Sequence, residues 1–229
     1  LSYYTFVSCW TDSEEESIPL WKMYAGKEMH GIRISLDSDM FLKYHIPSGR
    51  FYGVDVYSKN EKSSILPIEK IVTKDYLVVP SFNDSEMFFK KVLYVDNPFS
   101  EMRDVVQIQD MGNGEGAMKM NLKKIGLYKR KCWAFQKEHR FTLTILPNIW
   151  GDIDINQMPK RIMQAVYDRI PPKLSFFDLE INPELLSKMK ITLSPICSEA
   201  EKVIVESIVQ KFAPKAIIRE SMLKGLINR

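Results

Sequence analysis

Gln136, Glu138 and Arg140 occupy alternate positions in the segment Trp133-Ala134-Phe135-Gln136-Lys137-Glu138-His139-Arg140, which runs on into Phe141 to Leu146. Side chains of an extended strand alternate between its two faces. The spacing therefore predicts Gln136, Glu138, Arg140, Thr142 and Thr144 on one face, and Trp133, Phe135, Phe141, Leu143 and Ile145 on the other. A Glu beside a second hydrogen-bonding side chain suits cleavage of a nicotinamide glycosidic bond. Oxocarbenium character develops on the ribose in that reaction, so a fixed carboxylate stabilises the transition state more than the ground state. In this reading Glu138 is the catalytic acid, Gln136 orients the acceptor nucleophile, and Ser8 supports the site from an earlier strand. The competing reading is a solvated strand face on which Glu138 and Arg140 are charge partners worth at most about 1 kcal/mol.

These side chains need a sheet to hold them. Tyr3 to Cys9 alternates as a strand, and Thr11 to Ser17 supplies caps and acids for a helix reaching Ala25. Gly26 stops that helix, and Gly31 to Leu36 alternates again as a second strand. Trp21 and Tyr24 lie three apart on the helix. They pack against the sheet as core, or else line a pocket for a planar ring and bind substrate together with Arg140. Further on, 40–44 is expected as a short helix, 50–57 and 65–80 as strands, and 86–95 as a helix turning into a strand. The glycines of 110–116 mark a loop, and 117–127 reads as a helix with a lysine-rich face.

After Pro147 a polar loop runs to Asn156, then 157–169 has helical spacing and Pro171 and Pro172 end it. A strand is expected over 174–181, a short helix opened by Asn182 and Pro183, and a strand over 189–193. Ser198 and Glu201 form a capping box for a helix whose apolar stripe is Ala200, Val203, Ile204, Ile208 and Phe212. A short strand over 216–219 closes the pattern. The fold class this implies is α+β, a mixed β-sheet with flanking helices in a single domain over 1–229, with a sub-lobe over 150–229.

The bulk properties exclude some classes. With 229 residues, 45% of them hydrophobic and 11% aromatic, the chain has enough apolar surface for a core. Its net charge of +3 comes from 32 basic and 29 acidic residues mixed along the sequence, so nucleic acid is not an expected partner. No apolar run approaches the roughly 18 to 20 residues that a membrane helix needs, and a cytoplasmic protein with no membrane partner is expected. Cys9, Cys132 and Cys197 are far apart and lack metal-ligand spacing, which predicts buried reduced thiols. His30, His45 and His139 are equally dispersed, so no metal site is expected. Gly112 to Gly116 lacks the preceding strand and the Lys of a phosphate loop. Asp55 with Glu69 and Lys70 is a poor nuclease set, because Pro67 interrupts the strand.

Four pieces resemble a known family in order and spacing. They are Phe6-Val-Ser-Cys-Trp-Thr11, Leu20-Trp-Lys-Met-Tyr24-Ala, Gly31-Ile-Arg-Ile, and Tyr128-Lys129 followed by Trp133 to Arg140. The chain resembles, over nearly its whole length, a large bacterial family of unknown function, domain of unknown function family 2971. Its members show a Ser-containing strand, a Trp and a Tyr on the next helix, a Gly-led strand, and a Trp, aromatic, acid, acid, Arg signature. They usually begin with a further strand and an Asn-Asp-Pro-type turn, so the resemblance implies an N-terminal portion ahead of Leu1.

A second likeness is to ADP-ribosyltransferases, which carry a Ser-rich strand, then a helix and strand, then a Glu- or Gln-x-Glu pair. Ser8, Trp21 to Ala25, Gly31 to Leu36 and Gln136-x-Glu138 follow that order, although the strand reads Val-Ser-Cys-Trp-Thr where those enzymes have Ser-Thr-Ser. That likeness implies NAD as substrate, a small-molecule nucleotide partner, and a role in toxin action or phage defence. The alternative is a non-catalytic module that binds a ligand or a protein.

Overall fold

Two strands far apart in sequence, Thr5–Thr11 and Glu138–Pro147, make the longest pairing among the described residues. The computed structural model describes residues 2–46, 48–51, 54–56, 63–112, 115–148 and 158–227. In chain order the elements begin with β1 (Thr5–Thr11), α1 (Ile18–Tyr24), β2 (Ile32–Ser35), β3 (Tyr44–His45), β4 (Gly49–Phe51), β5 (Val54–Val56) and β6 (Ser63–Ser64). They continue with α2 (Ile68–Ile71), β7 (Tyr76–Val78), α3 (Ser85–Phe88), β8 (Phe89–Lys91), β9 (Leu93–Val95) and α4 (Pro98–Glu101). Next come β10 (Val106–Gly112), β11 (Glu115–Met120), β12 (Tyr128–Arg130) and β13 (Glu138–Pro147), a 3₁₀ turn at Lys131–Gln136 separating the last two. The chain closes with α5 (Met158–Tyr167), α6 (Pro183–Leu186), β14 (Lys190–Leu193), α7 (Glu199–Phe212) and β15 (Ile217–Arg219). The class is α+β, with parallel and antiparallel pairing both present.

By its contacts the chain divides into two compact units, 1–12 with 43–178 and 13–42 with 179–229. The first unit is built around β13, which pairs antiparallel with β1 on one side and with β8 and then β7 on the other. Neighbours on both sides and cover on both faces make this the central strand. Thr142 and Thr144 are consequently as buried as Leu143 and Ile145, so the expected open polar face is instead a covered one. Phe89 stacks on both Phe141 and His139, at ring separations of 4.5 and 5.1 Å. Tyr4 donates its hydroxyl to the Ala165 carbonyl at 3.1 Å and so pins the end of α5.

The second unit has the sheet order β15-β14-β2, with α7 making the crossover between parallel β14 and β15. Met189, Ile191, Val209 and Ala213 form its core. The capping box of α7 is present, and Asn182 caps α6 with Pro183 in its first turn. The apolar stripe does not face the core. Val203, Ile204, Ile208 and Phe212 are exposed, while Val205, Val209 and Ala213 pack inward. Glu16 ties this unit together, accepting from the Trp21 indole at 3.0 Å, the Ser221 hydroxyl at 2.6 Å and the Met222 amide at 2.7 Å.

Several expected elements take another form. The helix expected over 117–127 is strand β11 as far as Met120, followed by turns, because 106–120 closes as a β-hairpin. The short helix expected over 40–44 is extended chain. Phe41 bridges Ile181, and the amides of Leu42 and Asn182 donate to the carbonyls of Glu180 and Met40, both at 2.8 Å. Those bonds engage only the end of 174–181, so no strand forms there. The 65–80 strand is interrupted by α2, whose N-cap is Pro67, before β7. Across 86–95 the helix does turn into strand, as α3, β8 and β9. Residues 57–62, 113–114 and 149–157, where the loop through Asn156 was expected, lie outside the described residues, as does the side chain of Asp55.

Candidate functional site

The Gln136 and Glu138 positions are not consecutive same-face strand positions. Gln136 ends the 3₁₀ turn, and Lys137 follows in the left-handed region with φ of 44°, so the chain turns before β13 starts at Glu138. Trp133 and Phe135 sit on that turn and not on the apolar strand face. Gln136 is nevertheless brought back to Glu138 by an intermediary. The Lys129 ammonium donates to the Gln136 amide oxygen and, at 2.7 Å, to Glu138 Oε2.

Arg140, two residues along the same face, donates from Nε to Glu138 Oε1 at 2.6 Å and from its terminal nitrogen to the Gly126 carbonyl at 2.8 Å. Each oxygen of Glu138 is thus taken by a cation, and the side chain is only 4% exposed. The surrounding backbone is fixed too. The Glu138 amide donates to the Tyr94 hydroxyl at 2.8 Å, and the Val92 amide donates to the Glu138 carbonyl at 2.9 Å.

Burial by itself would push the Glu138 carboxyl up. The bonds donated by Arg140, Lys129 and Cys9 outweigh it and hold the pKa down at about 2. Glu138 is therefore held as a carboxylate near neutral pH, the fixed anion that stabilising an oxocarbenium would call for, with both oxygens already engaged by cations.

Register decides which other residues join. Opposed residues in a pair share a face, so Cys9 opposite Arg140 and Thr11 opposite Glu138 lie on the same side as the cluster. Ser8 opposes Phe141 and lies on the other side, where its hydroxyl accepts from the Trp10 indole at 2.9 Å. Ser8 and Glu138 thus do not converge. Lys90 continues the row beyond Arg140, and its ammonium donates to the Leu122 and Ile125 carbonyls at 2.8 and 2.7 Å. Burial pushes that ammonium down to about 8, against the pull of Asp84. Two cations on neighbouring strands therefore hold one turn by its carbonyls.

Trp21 and Tyr24 belong to the second unit. Trp21 is buried with its indole bound to Glu16, which fits its core reading, while Tyr24 is 70% exposed. The three cysteines are free, but Cys9 and Cys132 are exposed and Cys197 is half-buried, contrary to the expectation of buried thiols. Cys9 turns its thiol toward Glu138, where desolvation first and then the bond to the carboxylate raise its pKa. Among the described residues no group of three or more His, Cys, Asp or Glu is placed to hold a metal ion, and no helix is long and apolar enough to cross a membrane.

Sequence reasoning missed Lys129, Lys90 and Tyr94. Lys129 is nine residues from Glu138 across a turn, so no strand or helix period connects them. What the site defines is an α+β protein with a buried, fully ion-paired carboxylate beneath an exposed turn. No family model, no curated protein and no solved structure matches the chain.

Proposed function

We propose that this is a cytoplasmic, non-catalytic binding module, in which the Glu138 cluster stiffens the exposed turn above it. The observation that carries the reading is the saturation of Glu138, whose two oxygens are held by Lys129 and Arg140 in a buried setting. A carboxylate so engaged is a structural anchor, because a ribose hydroxyl or a developing cation would have to displace a buried cation to reach it. Membership of the bacterial family of unknown function remains part of the proposal, supported by the four matching segments.

The NAD-cleaving reading keeps one supporting observation, the convergence of Gln136 and Glu138 on Lys129. Incubation with NAD followed by mass spectrometry of protein and products separates the two. A binding module releases no nicotinamide, and Glu138→Gln lowers its melting temperature. Nicotinamide release by the native chain, abolished in Glu138→Gln at an unchanged melting temperature, would overturn the proposal in favour of the enzyme.

A further inference from the structure

The turn over the cluster has an unusual surface. Of the six residues of Lys131–Gln136 only Gln136 is buried, and Lys131, Cys132, Trp133, Ala134 and Phe135 are all exposed. Trp133 and Phe135 present their rings side by side, with centroids 6.1 Å apart and planes inclined by 38°. They are 38% and 42% exposed. The turn is held from below: Gln136 by Lys129, the Trp133 ring by the Lys129 ammonium 5.3 Å from its centroid, and Lys131 by Asp96 at 2.7 Å. The Trp133 ring is thus held at the surface in advance of any contact, with Phe135 packed beside it, which lowers the ordering cost of binding.

The electrostatics around the rings lean positive, although Asp96 pairs with Lys131 and the Asp12 amide donates to the Lys137 carbonyl. From Lys129 to Arg140 the chain carries five Lys and Arg residues against the single carboxylate of Glu138. Glu138 is shared by two of those cations, which leaves the cluster itself positive. Arg130 and Lys137 flank the turn, are exposed, and enter no ion pair among the described residues. Flat ring faces bordered by unneutralised cations are complementary to a ligand with a planar ring and an anionic group.

We propose that Trp133 and Phe135 form a stacking platform for a nucleoside monophosphate, with Arg130 and Lys137 meeting its phosphate. The inference rests on the binding-module reading and names the ligand class of that module.

Titration of the full chain with AMP, adenosine and a single-stranded oligonucleotide, followed by calorimetry, tests it. AMP binds, adenosine binds more weakly, and AMP binding weakens with added salt. Trp133→Ala and Phe135→Ala each weaken AMP roughly 5- to 100-fold, the range expected for loss of one base–aromatic stack. Arg130→Ala weakens AMP and leaves adenosine unchanged. All three variants are at exposed positions, and circular dichroism verifies that they fold. No AMP binding at millimolar concentration, equal binding by native chain and folded Trp133→Ala, or an oligonucleotide bound far more tightly than AMP each overturns the platform. If AMP fails to bind and NAD stays intact, the platform alone falls and the binding module stands. Nicotinamide release from NAD sinks the binding module whether or not AMP binds.

Discussion

Glu138 in the first unit and Glu201 in the second have the same titration behaviour for different reasons. Both carboxyls are held at about pKa 2. Glu201 owes this first to the backbone and hydroxyl of Ser198, and then to His30, whose Nδ1 lies 2.5 Å away. Its side chain is 32% exposed and that of His30 64%. Glu138 is 4% exposed and owes its acidity to two cations and the Cys9 thiol. The same depressed pKa is therefore reached by a helix cap at one site and by a buried ion cluster at the other. Exposure and the nature of the partner decide how much energy stands behind it.

The contrast is sharpest in a deletion. Glu138→Ala leaves Lys129 and Arg140 facing each other with no counter-ion, and urea unfolding should show a loss of about 3 to 5 kcal/mol. A loss under about 1 kcal/mol would make the buried cluster equivalent to the exposed one. The acid limb gives a second comparison. The folded-state value of Glu138 is about 2 against an ordinary 4.5, so its contribution is complete above about pH 4.5 and is lost as pH falls through 2. Unfolding followed between pH 5 and 2 should have a flatter stability profile in Glu138→Gln than in the native chain. Removing the cap of the second unit costs less: Ser198→Ala is expected to destabilise by about 1 kcal/mol in urea. The smallest effect belongs to His30→Ala, within roughly 0.5 kcal/mol because its pair with Glu201 is exposed; a larger loss by the same measurement erases the distinction.

Local signals in the sequence located several elements well. Ser198 with Glu201 and Asn182 with Pro183 correspond to the caps observed, and the strand expected over Tyr3 to Cys9 is found two residues later, at Thr5–Thr11, after a 3₁₀ turn at Ser2–Tyr4. These are properties of a few neighbouring residues. The errors arose where distant residues decide. β13 reads as two-faced, but its flanking by β1, β7 and β8 buries Thr142 and Thr144, and no pattern within 138–147 announces that. The hairpin of β10 and β11 overrode the helical spacing of 117–127 because its partner strand lies immediately upstream. In α7 the spacing of Val203, Ile204, Ile208 and Phe212 is helical as expected, yet the core meets Val205 and Val209 instead.

The candidate site was legible to a similar degree. Arg140 meets Glu138 directly, and Gln136 meets it through Lys129, whose place depends on β12 lying beside β9 and on the turn that follows. Ser8 was lost to a parity that only register reveals, since moving one residue along a strand changes its face.

The pairing of Thr5–Thr11 with residues 138–144 closes a loop of roughly 130 residues. During synthesis the first of these strands leaves the ribosome on the order of ten seconds before the second, at translation rates of about 5 to 20 residues per second. For that interval Phe6 and Trp10 have no strand to pair beside, and Cys9 has no Arg140 opposite it. The ion pairs of Glu138 lie within residues 129–140 and need no distant strand, whereas the Cys9 thiol reaches the carboxylate only when the two ends meet, so that one bond reports the closure of β1 on β13.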